Sequence, residues 1–166
     1  MKNPLVSVII TTKNEALNIG ACINSIKKQT YKDIETIVVD NNSSDKTKEI
    51  VQKLGVQIVD KGPERSAQRN FGAKKAKGEY LFFLDADMML AHDIVEKCID
   101  EITKQKRNGV PLAALIVPEI SVGTGFWAKC KALERSFYVG VSWIEAARFY
   151  KNESYDALQG YDETLT

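Results

Sequence analysis

The feature that most constrains this fold is a regular alternation of short apolar runs with segments of helical periodicity. Residues 5–10, 34–39 and 80–84 are apolar and rich in β-branched or aromatic side chains. They are too short for helices and end in polar residues, which indicates buried strands. Between them, apolar residues recur every three or four positions. This alternation predicts a three-layer α/β domain with a mostly parallel central sheet flanked by helices.

The same patterns place the remaining elements. Shorter apolar runs predict strands at residues 56–59 and 112–117, and helical spacing predicts helices at 64–77 and 91–107. Thr12 and Glu15, three residues apart, predict a capping box at the start of the first helix. After Pro118 we expect one more helix and then short aromatic-rich segments. The helix is inferred from the spacing of Phe126, Cys130, Leu133 and Phe137.

Composition narrows the classes of partner and compartment. The 166 residues fit one domain, and a net charge of +1 provides no general attraction for nucleic acid. The longest apolar runs fall far below the roughly 20 residues of a membrane span, and no secretory leader is recognisable, so we expect a cytoplasmic protein or one attached peripherally to a membrane. Three widely spaced cysteines favour packed thiols over disulfides or a zinc site. They are Cys22, Cys98 and Cys130.

Polar residues accumulate directly after three of the predicted strands. Residues 11–15 follow the first strand, residues 40–45 the second, and residues 85–87 the strand that ends at Leu84. Ligands of open α/β sheets bind outside the carboxyl ends of the strands. The sequence therefore predicts that the three loops converge on one ligand site.

Asp85 and Asp87 are the best candidates for a metal site. An extended backbone directs side chains two residues apart to the same side, and Mg²⁺ or Mn²⁺ commonly takes one or two carboxylates together with water and substrate phosphate. The alternative is that both residues cap the following helix. No basic residue lies closer in sequence than His92, so mutual repulsion favours the metal. His92 is most simply a helix-start residue, with metal ligation as its alternative.

Two arginines and one aspartate suggest the nature of the ligand. Arg65 and Arg69 lie four residues apart on one helix face, where guanidinium groups can bind phosphate or simply face solvent. Asp40 can cap a turn or accept a hydrogen bond from a heterocycle. The sequence contains no glycine-rich dinucleotide fingerprint and no Walker A motif, and with a single histidine it offers no credible Ser-His-Asp set.

Four motifs in order resemble glycosyltransferase family 2, whose members have the GT-A fold. They are VSVIITTKNE at 6–15, VVDNNSSD at 38–45, RNFGA at 69–73 and FFLDAD at 82–87. The resemblance extends from about Leu5 to Leu165. It implies that residues 1–166 form a single GT-A glycosyltransferase domain containing the donor-binding part.

The resemblance implies an inverting transfer of a sugar from a nucleotide diphosphate sugar, with UDP favoured, to a glycan, lipid-linked or protein acceptor that the sequence does not identify. By the same resemblance, the base and ribose would be held by Thr11, Thr12, Asn14, Glu15, Asp40 and Asn42. The diphosphate would lie near Arg65 and Arg69. Asp85 and Ala86 would contact the ribose or water around the metal, and Asp87 would coordinate Mn²⁺ or Mg²⁺.

The catalytic base is expected beyond Thr166. In the family an acidic pair follows a Gly-Gly-aromatic-Asp-Glu segment, and QGYDE at 159–163 matches that segment with Gln in place of the first Gly. By this spacing Asp162 and Glu163 precede the base, and we expect a chain truncated within the domain.

Aromatic residues after Pro118 allow two interpretations, an acceptor or lipid surface and ordinary core packing. They are Phe126, Trp127, Trp143, Phe149 and Tyr150. Lys129, Lys131 and Arg135 lie among them, which suggests a weak interfacial helix.

Two other functions compete with this interpretation. A haloacid-dehalogenase-like phosphohydrolase also places Asp-x-Asp after an apolar strand, although Met89 stands where that family prefers Thr or Val and its motif normally follows an early strand. A non-catalytic nucleotide-sugar-binding subunit would retain donor binding without turnover.

Overall fold

The computed structural model describes residues 3–123, 125–137 and 146–164, which form a six-stranded sheet with helices on both faces. The strands are β1 Val6–Thr12, β2 Ile34–Asp40, β3 Gln57–Asp60, β4 Tyr80–Asp85, β5 Ala114–Leu115 and β6 Phe149–Lys151. The helices are α1 Ile19–Lys27, α2 Thr47–Lys53, α3 Arg65–Lys75, α4 Ile94–Arg107, α5 Phe126–Ser136 and α6 Asn152–Ala157.

The sheet is mostly parallel, as the sequence predicts. Its strand order is β3-β2-β1-β4-β6-β5, and the first four strands run parallel. In this register Thr12 pairs with Asp40 on β2, and Thr11 pairs with Asp85 on β4. The polar residues that end three separate strands therefore lie level with one another at one edge of the sheet.

The alternating side chains of the strands divide the core between two faces. On one face Val8, Ile10 and Phe82 pack with α1, α2 and α4. On the other, Ile9 and Phe83 pack with α3 and α6. Because strand residues alternate between faces, a strand buried on both sides must be apolar at nearly every position, which explains the continuous apolar runs. The predicted three layers are confirmed.

The edge of the sheet beyond β4 differs from the sequence prediction. The run at 112–117 forms only the two-residue strand β5, and the aromatic-rich segment contributes β6, which runs antiparallel to both β4 and β5. Three residues are too few to show a period of two in a sequence. Strand β6 forms because β4 offers a free edge, where Phe149 pairs with Phe82 and packs edge to face against its ring.

The capping box predicted from Thr12 and Glu15 is wrong. Thr12 is the last residue of β1 and is paired with Asp40, while α1 begins seven residues later at Ile19. Residues 15–18 form a turn in which the Asn18 side-chain amide donates to Glu15 at 2.7 Å. Strand pairing on both sides of β1 holds Thr12 extended, which removes it from any helix start.

The outer helix α5 is present where the spacing predicts it, but its surroundings are not those of a core helix. Cys22 and Cys98 are buried as predicted, whereas Cys130 on α5 is exposed, so its prediction as a packed thiol is wrong. Phe126 and Trp127 are also exposed, at 72% and 81% of their surface.

Within the described ranges, no helix has the length and apolar character to cross a membrane.

Candidate functional site

A cleft of about 500 Å³ opens at the carboxyl edge of the parallel strands. Its wall combines the end of β1, the residue after β2, the start of α3 and the end of β4. The lining residues are Thr11, Thr12, Lys13, Glu15, Asn41, Pro63, Glu64, Arg65, Ser66, Gln68, Asp85, Ala86 and Asp87. Three loops separated in sequence therefore converge, as their positions after neighbouring strands predict.

Most of the predicted site residues line this cleft, and four lie outside its wall. Those in the wall are Thr11, Thr12, Glu15, Arg65, Asp85, Ala86 and Asp87. Those outside it are Asn14, Asp40, Asn42 and Arg69; Asn14, Asp40 and Arg69 are held by contacts with neighbouring loops and strands.

Asp40 forms the turn that follows β2. Its carboxylate is fully buried and accepts hydrogen bonds from the Ser43 amide at 2.7 Å and the Ser43 hydroxyl at 2.5 Å. Lys48 lies 3.5 Å from the same carboxylate and 2.6 Å from Asp60. Both oxygens are thus engaged, so the turn-capping alternative describes the role of Asp40 in this structure.

The loops after β1 and β2 are joined directly to each other. The Asn14 amide donates to the Ser43 hydroxyl at 2.8 Å, and the Asn14 side chain accepts from the Ser44 amide at 2.8 Å. Asn14 and Asn42 have φ of +53° and +49°, a region that Asn adopts more readily than most residues. The two asparagines therefore shape the rim beside the cleft.

The threonines at the end of β1 face the cleft with different partners. The Thr11 hydroxyl donates to Asp85 at 3.1 Å. The Thr12 hydroxyl is buried and has no hydrogen-bond partner among the described residues. A buried polar atom without a partner is uncommon in proteins, so Thr12 has unused capacity to bind a ligand at this wall.

Asp85 is paired with cations, contrary to the sequence argument that no basic neighbour lies near it. Arg69 Nη2 lies 3.1 Å from Oδ1, and Arg148 Nη2 lies 3.5 Å from Oδ2. Burial raises the pKa of Asp85, but the charges of Arg69 and Arg148 and the Thr11 hydrogen bond outweigh it, so the pKa lies below the ordinary value. Asp85 is therefore ionised at neutral pH.

The two arginines of α3 take different positions. Arg65 is exposed in the cleft wall, free to meet an anion there. Arg69 turns toward Asp85, with 18% of its side chain exposed and its guanidinium 5.2 Å from the Tyr161 ring centre. The alternative of a solvated helix face is therefore wrong for Arg69, and its acidic partner comes from 16 residues away.

Asp87 is the exposed carboxylate of the site. It lines the cleft and forms no hydrogen bond or ion pair with the residues that the structure describes. His92 is exposed and lies 4.0 Å from Asp93, and nowhere in the described ranges do three His, Cys, Asp or Glu side chains converge to hold a metal. The alternative of His92 as a metal ligand therefore has no support.

Cys22 lies behind the end of β4, with its sulfur 3.9 Å from the Asp85 carbonyl oxygen. Burial, together with the smaller effect of the Asp87 and Asp85 charges, raises the pKa of the Cys22 thiol to about 12. A protonated thiol neither attacks a substrate nor ligates a metal, so Cys22 serves as a packing residue.

Sequence reasoning missed two residues that organise the site. Gln68 is buried and its amide donates to the carbonyl oxygens of Thr12 and Val39, which ties α3 to the ends of β1 and β2. Arg148 directly precedes β6, and its guanidinium lies 3.5 Å from the Asp85 carboxylate. A buried glutamine within a helix is an unusual signal that could have been noticed, whereas nothing in the local sequence marks Arg148.

The aromatic residues divide between the two interpretations. Phe149 is fully buried in the core, and Tyr150 is half-buried against Phe83, so core packing is right for these two. Phe126 and Trp127 are exposed and pack only edge to face against each other. Trp143 lies outside the described residues.

Comparison with known families and proteins identifies this arrangement. The family model described as glycosyl transferase family 2 matches residues 7–155. An uncharacterized glycosyltransferase of Haemophilus influenzae is 37% identical over 106 residues, which cover 58% of this chain and 42% of that protein. Glycosyltransferase AglE of Haloferax volcanii is 38% identical over 109 residues, 60% of this chain and 36% of that protein. The chain thus spans less than half the length of these relatives.

Solved structures agree with the sequence relatives. S. aureus TarS 1-349 in complex with UDP-GlcNAc has a TM-score of 0.61 at 27% identity, over 74% of this chain and 36% of that chain. Mannosyltransferase PcManGT from Pyrobaculum calidifontis, in complex with GDP-Man and Mn²⁺, has a TM-score of 0.75 at 21% identity, over 97% of this chain and 48% of that chain. The fold is therefore the GT-A fold that the sequence predicts. With a family model that matches most of its length, this chain belongs to glycosyl transferase family 2.

Proposed function

We propose that this chain binds a nucleotide diphosphate sugar, with UDP favoured, in the cleft and contributes to an inverting, metal-dependent transfer of the sugar. One observation carries the proposal: a carboxylate, Asp87, and a guanidinium, Arg65, neither of them in an ion pair within the described part of the chain, share the wall of one cleft. A diphosphate with a divalent cation requires these two kinds of partner. The relatives in complex with UDP-GlcNAc and with GDP-Man and Mn²⁺ support the same ligand class.

The residues present fit Mn²⁺ or Mg²⁺. Asp87 is an exposed oxygen ligand in the cleft, and these hard cations take few protein carboxylates and complete their shell with water and substrate phosphate. When bound, such a cation neutralises the charge that develops on the departing nucleotide diphosphate. Arg65 supplies a second positive charge at the same wall, and Asp85, held by its own partners, faces the ribose or the water around the metal.

The nucleoside is assigned to the end of β1 and the loops beside it. Thr12 has an unpaired hydroxyl there, and Thr11 and Glu15 line the same wall. Asp40 and Asn14 act on this subsite by fixing the rim, since their side chains are engaged in the turn after β2 and its contact with the β1 loop. Asn42 acts through its backbone, whose positive φ shapes the same turn. Arg69 is paired with Asp85 in the structure, so it would bind the diphosphate only after that ion pair breaks.

No described carboxylate is assigned as the catalytic base. Asp162 accepts from the Thr164 amide and hydroxyl, and Glu163 accepts from the Asn70 side chain. Neither lines the cleft, which agrees with family spacing that places the base after this segment.

Direct binding measurements test the donor site. Calorimetry with UDP, GDP, dTDP and CDP, with and without Mn²⁺, should give one nucleotide whose affinity rises with the metal. Asp87→Asn should lower that affinity by at least the roughly 10–100-fold typical of disturbed metal sites. Asp100→Asn, an exposed carboxylate of α4, is the matched control and should bind as the unchanged protein does. A protein that is folded but binds none of the nucleotides would contradict the proposal.

Family membership distinguishes the proposed function from a phosphohydrolase, and a turnover measurement distinguishes it from a non-catalytic subunit. Membership of glycosyl transferase family 2 leaves no place for a haloacid-dehalogenase-like reaction, in which Asp85 would be the nucleophile; here both of its oxygens are paired with cations. A non-catalytic subunit would bind donor as tightly but never release free nucleotide diphosphate with any acceptor present.

We further propose that α5 contacts an anionic membrane surface and that the reaction takes place on its cytoplasmic side, with a lipid-linked acceptor. The exposed side chains of Phe126, Trp127 and Leu133 lie on a helix that also exposes Lys129, and the exposed Phe137 directly follows it, a combination typical of interfacial helices. The free thiols of Cys22, Cys98 and Cys130 suit a reducing compartment.

Vesicle sedimentation tests the membrane contact. The protein should sediment with vesicles that contain anionic phospholipid, and the double variant Phe126→Ser, Trp127→Ser should lose most of this association because it removes the aromatic surface. Ile120→Ser, which removes one exposed apolar side chain outside α5, is the control. Equal sedimentation of both variants would contradict the assignment of α5.

A further inference from the structure

Two arginines hold one carboxylate at the end of β4. Arg69 comes from α3 and contacts Oδ1 of Asp85, and Arg148 comes from the segment before β6 and contacts Oδ2. Thr11 donates to Oδ1 from a third direction. Because the cations occupy different oxygens, the plane of the carboxylate is fixed from both sides.

Arg148 is anchored at its backbone and at its side chain. Its carbonyl oxygen accepts from the Phe83 amide at 2.9 Å, and its amide donates to Leu115 at 3.1 Å. Its Nε donates to Glu119, and only 17% of the side chain is exposed. Arg148 therefore has a second acidic partner and does not depend on Asp85 alone.

Arg69 is held less completely. Its Nε is buried and has no hydrogen-bond partner in the described part of the chain, and its other contact is the face of the Tyr161 ring. An unsatisfied buried N–H destabilises the position it occupies. Of the two cations on Asp85, Arg69 loses less when it moves, and a diphosphate in the adjacent cleft offers the acceptor that its Nε lacks.

We propose that Arg148 is a positioning residue that keeps Asp85 in place while Arg69 exchanges Asp85 for the diphosphate of the donor. The proposal rests on the proposed function, because the exchange requires a diphosphate in the cleft. With Arg69 as its sole cation, Asp85 would lose its orientation at the moment the donor binds. Arg148 and Thr11 maintain that orientation, so Arg69 can bind the diphosphate while Arg148 continues to position Asp85.

A double-mutant cycle on nucleotide binding tests this role. The probes are UDP and GDP with Mn²⁺, and the variants are Arg148→Met, Asp85→Asn and the two together. Arg148→Met should weaken binding roughly tenfold, as expected for a residue that supports a ligand-contacting group. In the Asp85→Asn background the same change should add less than about twofold, because its target is gone. Losses that multiply would overturn the proposal.

Conservative and distant variants separate positioning from folding. Arg148→Lys keeps the charge and should recover part of the affinity, while Arg107→Met, an exposed arginine in the last turn of α4, should bind normally. An Arg148→Met protein with lowered thermal stability but unchanged nucleotide affinity would reveal a purely structural residue and overturn the proposal.

A ligand-free measurement distinguishes failure of this proposal from failure of the proposed function. In urea denaturation without nucleotide, the stability losses of Arg148→Met and Asp85→Asn should be less than additive, because each change breaks the same pair. If the unchanged protein binds none of UDP, GDP, dTDP and CDP in the presence of Mn²⁺, the proposed function and the exchange at Arg69 both fall. Additive losses in urea would overturn the pairing by itself, whatever binds in the cleft.

Discussion

At the scale of single residues, the carboxylates near the cleft differ in whether a cation is paired with them. Asp40 is buried, Asp85 is half-buried and both are paired, whereas Asp87 faces the cleft unpaired within the described ranges. All three lie at or just after the carboxyl end of a strand, and nothing adjacent to them in the sequence shows which is paired. The contrast arises because the partners, Arg69, Arg148 and Lys48, come from other elements. Function is therefore assigned to the carboxylate that the fold leaves available.

Asp45 links two loops at the rim, and its titration should be visible in stability. Its carboxylate accepts from the Thr47 hydroxyl and amide and from the Ala16 amide. The Thr47 hydroxyl bond, with the amide bonds, lowers the pKa of Asp45 in the folded protein against a smaller opposing effect of burial. A lowered pKa stabilises the folded protein above the ordinary carboxyl value of about 3.9, and this stabilisation is lost as the pH falls through the folded pKa.

The stability difference between the unchanged protein and Asp45→Asn should therefore be present at pH 7 and 5 and shrink below about pH 4. Urea denaturation at pH 7, 5, 4 and 3 measures it. Asp100→Asn on α4 is the control. A difference for Asp45→Asn that stayed constant down to pH 3 would show that the charge of Asp45 contributes nothing.

At the scale of elements, α3 connects the site to the sheet. Arg65 and Arg69 project from it toward the cleft and Asp85, Gln68 binds the ends of β1 and β2, and Asn70 holds the last described segment. The Asn70 side chain accepts from Tyr155 and from the Tyr161 amide, and donates to the Tyr161 carbonyl and to Glu163. Any shift of α3 would therefore move several parts of the site together.

The close approach of α3 to the sheet depends on Gly72. A Cβ at Gly72 would overlap the Ile9 side chain and lie 3.1 Å from Val39. In an open helix, Gly→Ala stabilises by up to about 1 kcal/mol. Gly72→Ala should instead destabilise the protein by about 1–3 kcal/mol, because a packed core resists added volume.

Gly20 in α1 is the matched control, since a Cβ there would meet only Ile50 at an ordinary 3.7 Å. Gly20→Ala should leave the free energy of unfolding unchanged or raise it. Chemical denaturation compares the two variants. Similar effects of both substitutions would mean that α3 can move away from Ile9 without loss.

At the scale of the whole molecule, two hydrophobic cores share one sheet. Phe82 and Phe83 are adjacent, fully buried residues of β4, and they point into opposite cores. Phe82 packs against Phe149, and Phe83 packs against the tyrosines of α6 and the segment after it. Because the same strands contribute side chains to both cores, a strand that unfolds is removed from both, and we expect the two cores to unfold together.

Truncation of either phenylalanine should therefore destabilise the same cooperative unit. Phe82→Ala and Phe83→Ala should each cost about 3–5 kcal/mol, while Val122→Ala, at an exposed position, should stay within about 0.5 kcal/mol. Far-UV circular dichroism and tyrosine fluorescence during urea unfolding should give coincident transitions for both variants. Separate transitions in Phe83→Ala would show that the two cores unfold independently.

Local patterns determined the layers, the parallel strands, the loops at one sheet edge and the family, because burial on both faces imposes apolar runs, and ligand chemistry imposes polar residues at their ends. Only the tertiary structure decided which distant segments pair and which residues they cover. It decided the Arg148 contact with Asp85, the strand β6, the place of Thr12 within β1 and the exposure of Cys130. Such contacts depend on which segments the fold brings together, and a residue's own neighbours in sequence carry no record of that.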